Sequence, residues 1–76
     1  MKPLSTLSAG QRAVVKSLSG EGAAYQRLME MGVFEGVELE VVRFAPLGDP
    51  MELRVQGYNL SLRKSEAACV QVEVLA

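Results

Sequence analysis

Five short segments of the chain alternate apolar and polar side chains with a period of two, the pattern of β-strands that bury one face. Their apolar positions are mostly valine and leucine, and the segments span residues 12–18, 37–41, 51–56, 60–63 and 69–74. The alternation slips at 42–44, directly after the second segment. We expect a bend or β-bulge there, which would move Phe44 toward the core.

One segment follows the helical period instead. Within residues 22–31, Ala24, Leu28 and Met31 are spaced i, i+4 and i+7, so they share one face of a helix. Gly32 follows at once, in the position where helices commonly end in a left-handed residue. The pattern predicts one short helix, and a helix of this length needs tertiary packing to be stable. We therefore expect the helix to pack against the sheet.

Two connections have clear turn chemistry. Residues 45–50 read Ala-Pro-Leu-Gly-Asp-Pro, in which Pro46 and Pro50 fix φ and lack backbone donors, while Gly48 can take a positive φ. This composition predicts an ordered loop between two strands. Residues 57–59, Gly-Tyr-Asn, predict a tight hairpin turn between the next two strands.

The remaining segments complete a mainly β fold. Residues 4–10 predict an irregular lead-in whose Leu4 and Leu7 cap the core, and 64–68 predict a short helical turn with Ser65 as its N-cap. About five strands of this length are too few for a normal sandwich, whereas a partly closed barrel encloses a core and limits exposed edges. We predict a small SH3-like barrel with one helix inserted after the first strand. A five-stranded OB barrel is the less favoured alternative, because its helix usually follows the third strand.

Length and charge narrow the functional classes. The 76 residues predict a single domain covering 1–76, and the net charge of −1 argues against nucleic acid as the partner. Cys69 is the only cysteine, so no internal disulfide forms and a reducing compartment is indicated. The N-terminus lacks the apolar region of a signal peptide, and no apolar run approaches the roughly 20 residues that span a bilayer. We expect a cytoplasmic protein that meets the membrane only through a partner.

The side-chain chemistry predicts neither an enzyme nor a resident cofactor. Histidine is absent from the sequence, as are the Gly-x-Ser-x-Gly and phosphate-loop motifs. Metal ligation is an alternative, because Glu38 and Glu40 share a strand face about 7 Å apart and Cys69 supplies a thiol. Tight metal sites need more ligands than these. A solvated strand face and a small edge or core cysteine are therefore the preferred interpretations.

Recognition of another protein fits the remaining features better. Methionine is common on adaptable binding surfaces, although at helical spacing it is more often a core residue. Leu47 is the one large apolar side chain of a stiff loop, which would either set the strand register or present a preordered contact. The residues predicted to contact a partner are Leu28, Met29, Met31, Leu47, Gly48, Asp49 and Met51.

Four blocks of the sequence resemble a known family, the ferrous iron transport protein A (FeoA) family. They are Leu-Met-Glu-Met-Gly at 28–32, Glu-Gly at 35–36, the proline loop at 45–50, and Leu-Arg-Lys-Ser-Glu-Ala at 62–67. The resemblance implies an SH3-like barrel and a small partner of the ferrous iron permease FeoB. Such a partner would bind the cytosolic, GTPase-containing region of FeoB at the inner face of the membrane, to regulate or assemble it.

Two other functions are compatible with the same sequence. One is a sensor or carrier of ferrous or other transition-metal ions that uses Glu38, Glu40 or Cys69. The other is an accessory domain of metal-dependent regulation, because a similar barrel follows the DNA-binding module in repressors of the diphtheria-toxin-repressor type. Small barrels with open strand edges often pair, so a homo-oligomer is a further expectation.

Overall fold

A curved sheet of six antiparallel strands forms the body of the protein, in a computed structural model that describes residues 1–20 and 22–75. The strands lie in the order β1-β6-β2-β3-β4-β5. The elements are β1 (Lys2–Pro3), a 3₁₀ turn (Leu4–Thr6), β2 (Arg12–Leu18), α1 (Ala23–Glu30), β3 (Glu38–Phe44), β4 (Met51–Val55), β5 (Tyr58–Leu62), α2 (Lys64–Ala67) and β6 (Val70–Val74). The mainly β prediction with one inserted helix is confirmed.

The strand count differs from the prediction by one. β1 is only two residues long and pairs with β6, Lys2 opposite Val72 and Pro3 opposite Gln71. Two residues are too few to show an alternating pattern, so the sequence indicated only an irregular lead-in. The predicted irregularity at 42–44 is confirmed, because the β3–β4 register shifts between Val41 and Arg43.

The hairpin between β4 and β5 turns one step earlier than predicted. Val55 pairs with Tyr58, so the two-residue loop is Gln56-Gly57 rather than 57–59. Both loop residues have positive φ, 49° at Gln56 and 91° at Gly57, as a type I′ turn requires. Glutamine is an unusual residue for that geometry, which is why the turn was misplaced. Tyr58 consequently belongs to the strand.

One hydrophobic cluster fills the inside of the sheet. Leu4 and Leu7, expected at the core, are both buried in it, and Phe44 packs partly buried against it. Among the described residues no polar or charged side chain is buried. The fully buried larger side chains are Leu4, Val15, Leu28, Val33, Leu39, Val41, Met51, Leu53, Val55, Leu62, Val70 and Val72.

Helix α1 is shorter than predicted but ends where the sequence indicated. Gly32 has a φ of 86°, its N–H donates to the Met29 carbonyl at 3.0 Å, and the Val33 N–H donates to the Leu28 carbonyl at 2.9 Å. These two bonds form a Schellman motif. Of the predicted apolar face, Leu28 is buried and Met31 packs half-buried against the core. Ala24 is exposed, so the contact of α1 with the sheet is narrow.

Helix α2 is a single turn whose N-cap is Arg63 rather than Ser65. The Arg63 backbone N–H donates to the carboxylate of Glu66 at 2.9 Å, which closes the first turn. Ser65 lies inside the helix and is exposed. The cap prediction was wrong because the glutamate three residues into the turn, and not the serine, supplies the acceptor.

Candidate partner-binding surface

The proline loop at 45–50 is ordered by its own backbone. The Ala45 N–H donates to the Pro50 carbonyl at 2.9 Å, and the Gly48 N–H donates to the Ala45 carbonyl at 2.7 Å. Gly48 has a φ of 89°, and the Asp49–Pro50 peptide bond is cis. Leu47, at the tip, is 97% exposed, the highest value among the exposed large apolar side chains of the described residues. The loop therefore presents an isolated leucine on a closed turn.

The same loop is fastened to α2 by Asp49. The backbone N–H of Lys64 donates to the Asp49 carboxylate at 3.0 Å, which satisfies a donor at the start of the helix. The Lys64 ammonium in turn lies 5.3 Å from the centre of the Phe44 ring, a cation–π distance. Asp49, predicted to contact a partner, thus has a structural role within the chain, because it links the proline loop to α2.

Glu66 fastens α2 to α1. One of its carboxylate oxygens accepts the Arg63 N–H, and the other lies 2.9 Å from Nε of Arg27. The Glu66 side chain is 15% exposed, whereas the acidic partners of the other described ion pairs are at least 34% exposed. A shielded carboxylate is screened less by water and salt. Glu66 therefore forms a shielded polar link between the two helices.

These bonds link three separate stretches of sequence to one another. The proline loop contacts α2 through Asp49, and α2 contacts α1 through Glu66. The sequence analysis identified the loop and α1, but it did not predict that Lys64 links α2 to the loop or that Glu66 links α2 to α1. The glutamate three residues after Arg63 was the available signal, since this spacing is that of a capping box.

An open groove of mixed polarity, which Ser17 and Glu35 also line, runs along another flank of α1. Tyr25 and Met29 from the helix face Phe34 from the following turn and Leu18 at the end of β2, around a volume of about 450 Å³. Tyr25, Met29 and Phe34 are each about 40% exposed. Met29 was predicted to contact a partner, and the structure places it on this groove. Tyr25 and Phe34 were missed, because their exposure depends on how α1 packs.

Two of the predicted contact residues must be corrected. Leu28 and Met51 are both 0% exposed, because each points into the core cluster, so neither side chain is available to a partner. Met31 is half-buried, and its carbonyl accepts a 2.6 Å hydrogen bond from the Tyr58 hydroxyl. The exposed part of the predicted surface is reduced to Leu47 with its loop and Met29 on the groove.

Of the candidate metal ligands, Glu38 is ion-paired and Cys69 lies far from both glutamates. The hydrogen bond and charge of Glu38 raise the pKa of the Arg12 guanidinium, with which it forms an ion pair. Glu40 stands in register between Arg12 on β2 and Arg54 on β4. Cys69 lies at the far end of β2, where its carbonyl accepts the Ser19 N–H at 2.7 Å. The register puts Glu38 opposite Val14, five residues from Ser19 and so roughly 16 Å away at about 3.3 Å per residue.

Within residues 1–20 and 22–75, no group of three His, Cys, Asp or Glu side chains is arranged to hold a metal ion. The same residues include no helix that is long and apolar enough to cross a membrane.

Comparison with known proteins identifies the family. The model of the FeoA domain matches residues 2–74, nearly the whole chain. The chain belongs to the FeoA domain family. A curated relative, the Fe(2+) transport protein A/Fe(2+) transporter FeoB fusion protein of Porphyromonas gingivalis, is 41% identical over 73 residues. Those residues are 96% of this chain but only 9% of the fusion protein, so the chain corresponds to a small part of that relative.

Solved structures of FeoA proteins share the fold. A FeoA-like protein from Clostridium acetobutylicum is 39% identical with a TM-score of 0.92, over 99% of this chain and 87% of its own. The zinc complex of Stenotrophomonas maltophilia FeoA is 34% identical with a TM-score of 0.82, over 96% and 91%. It is described as an SH3 domain protein and a candidate activating factor of ferrous iron transport. The predicted SH3-like fold is confirmed.

The fold is also found in a different class of protein. A manganese-dependent transcriptional repressor aligns with a TM-score of 0.90 over 97% of this chain and 41% of its own, at 15% identity. Identity this low shows a shared fold alone. The likeness therefore gives no support to the alternative of an accessory domain in metal-dependent regulation.

Proposed function

We propose that this FeoA-family chain is a small accessory protein of ferrous iron uptake that binds the cytosolic, GTPase-containing region of a FeoB-type transporter. It would regulate or assemble the transporter from the cytoplasm and reach the inner face of the membrane through that contact. The observation that carries the proposal is the Porphyromonas gingivalis fusion protein, in which a similar segment and the transporter form one chain. Such a linkage holds two modules at a high effective concentration, which favours a direct contact.

The geometry of the proline loop supports this contact. Leu47 is almost fully exposed on a turn that is closed by its own backbone bonds and fastened to α2 through Asp49. A preordered loop loses little conformational entropy on binding, so more of the burial energy of one leucine appears as affinity. The isolated apolar side chain at its tip suits a small pocket on the partner.

Substitution of Leu47 tests the loop directly. We expect Leu47→Asp to weaken binding to the isolated cytosolic region of the transporter by at least about tenfold, because it removes an apolar anchor worth about 1.5–3 kcal/mol. Isothermal titration calorimetry with both purified partners measures the change. Leu47→Met is the matched control, since it keeps an apolar side chain of similar volume on the same backbone and should bind like the wild type.

The unfolding temperature separates a lost contact from a lost fold. Leu47 is outside the core, so both variants should unfold within a few degrees of the wild type. A folded Leu47→Asp variant with unchanged affinity would show that the loop is not the contact. If the wild type itself fails to bind the cytosolic region, the proposed partner is wrong.

A second candidate function is binding of a transition-metal ion. It is favoured by one observation, that the related Stenotrophomonas maltophilia protein was solved in complex with zinc. In this chain Glu38, Glu40 and Cys69 are the donors that the sequence suggested, and the distance of Cys69 from the two glutamates argues for weak binding at most.

A further inference from the structure

The two edges of the sheet differ in how they are protected. One edge is β1, which is two residues long and consists of Lys2 and Pro3. A short edge strand with a lysine and a proline has three of the features by which proteins block edge-to-edge pairing. The other edge is β5, Tyr58–Leu62, which is five residues long and contains no charged residue, proline or bulge. The β5 edge has none of these protections.

The register shows which backbone groups of β5 are free. Val55 and Tyr58 flank a two-residue turn, so they form a hydrogen-bonded pair, and such pairs recur at every second residue. Tyr58, Leu60 and Leu62 therefore bond to β4, whereas the N–H and C=O groups of Asn59 and Ser61 point away from the sheet. Among the hydrogen bonds of the described residues, none reaches these outward backbone groups.

We propose that β5 pairs antiparallel with β5 of a second copy of this chain, on a two-fold axis that passes beside Leu60. In this register Asn59 of each copy stands opposite Ser61 of the other copy. Both residues have outward backbone groups, so each of these two pairs exchanges two hydrogen bonds. The strand is thus complementary to itself, as a two-fold interface requires.

The side chains allow the same register. On the inner face Leu60, which is partly exposed, meets Leu60 of the other copy, an apolar pair. Leu62 stands opposite Tyr58 in this register but is buried in its own core, so it adds no side-chain contact. On the outer face Asn59 meets Ser61, and both are uncharged. No like charges stand opposite each other along the new ladder. A two-fold pairing of β1 would instead place lysines close together beside prolines that lack a donor.

The size of the contact sets its strength. Two five-residue strands bury less than the roughly 1,200 Å² of a stable interface, so the dimer should be weak and dependent on concentration. Sedimentation velocity on the full chain, from micromolar to millimolar concentration, should show a reversible monomer–dimer equilibrium. In amide NMR spectra over the same range, the shifts that depend on concentration should centre on residues 58–62.

Two double variants test the register itself. Asn59→Lys with Ser61→Lys puts lysines opposite lysines twice, and should raise the dimer dissociation constant at least about tenfold. Asn59→Asp with Ser61→Lys puts opposite charges face to face in this register, and should dimerise at least as well as the wild type. The Asp variant also keeps an acceptor for Arg54, whose Nε lies 3.4 Å from the Asn59 side-chain oxygen.

Val42→Lys is the matched control for added charge. Val42 is an exposed strand residue on β3, away from either edge, so its substitution should leave dimerisation unchanged. The proposal is overturned if the wild type remains monomeric at millimolar concentration, or if the two double variants, shown to be folded by their unfolding curves, dimerise equally. Shifts centred on the proline loop or α1 would also overturn it, because the dimer would then use another surface.

Discussion

At the scale of single residues, Gly32 shows how one position can serve two constraints. Gly32 ends α1 with a φ of 86°, in a backbone conformation that L-residues rarely adopt. A Cβ built on Gly32 would also overlap the hydroxyl oxygen of Tyr58, which bonds to the Met31 carbonyl. Gly36 has a similar φ of 92° with no atom near its missing Cβ. An added Cβ would strain the backbone at both glycines, but it would collide with a neighbouring side chain only at Gly32.

We predict that Gly32→Ala destabilises the protein more than Gly36→Ala. The backbone term should be about 1–2 kcal/mol at both sites, and Gly32→Ala should lose about 1 kcal/mol more with the Tyr58 hydrogen bond. Urea unfolding of both variants measures the difference. In a Tyr58→Phe background the difference should largely vanish, since the crowding oxygen is gone. Equal costs in the wild-type background would contradict this account.

At the scale of elements, α1 is attached to the sheet by little apolar surface. Leu28 is its one buried residue, and the Arg27–Glu66 pair fastens it to α2. The remaining large apolar residues of the helix, Tyr25 and Met29, are partly exposed on the groove. The helix thus depends on one core contact and one polar link, and it leaves an apolar flank open.

We predict that Leu28→Ala costs about 2–5 kcal/mol of unfolding free energy, because it leaves a cavity in the core. A domain of this length has a total of about 4–11 kcal/mol, so the variant should be largely unstable at physiological temperature. Met29→Ala, one position along, should change stability by about 0.5 kcal/mol or less, since Met29 is partly exposed. Thermal unfolding compares them. Similar losses would show that α1 packs differently.

At the scale of the whole molecule, the charges are balanced and dispersed over the surface. Eight basic and nine acidic residues give a net charge of −1, and the described acidic side chains at Glu38, Glu52, Glu66 and Glu73 are ion-paired. A carboxylate that already faces a cation is a poor start for a metal site. A near-neutral charge of this kind lacks the basic footprint that binding of polyanions requires.

We predict that the protein binds Fe²⁺ only weakly. An anaerobic titration followed by calorimetry should show no saturable site tighter than about millimolar, since even loose carboxylate sites reach that range. Glu38→Gln with Glu40→Gln serves as the comparison and should behave like the wild type. Saturable micromolar binding that this variant or Cys69→Ser abolishes would establish the metal-binding alternative instead.

Much of this fold follows from the sequence by itself. The five longer strands, the bulge after Val41 and the end of α1 at Gly32 all depend on residues within a few positions of one another. Periodicity and glycine conformation report such local preferences directly. The family could also be recognised from short motifs at 28–32 and 45–50, because their order and spacing are local facts of the chain.

Only the tertiary structure decided which of the marked residues face a partner. Leu28, Met29 and Met51 are equally apolar in sequence, yet the way in which α1 and β4 pack buries the first and third and exposes the second. The bonds from Asp49 to Lys64 and from Glu66 to Arg27 join residues far apart in the chain. Pairings at that separation depend on how the elements pack in three dimensions rather than on local preference. The sequence could therefore identify the proline loop but could not show which residues hold it in place.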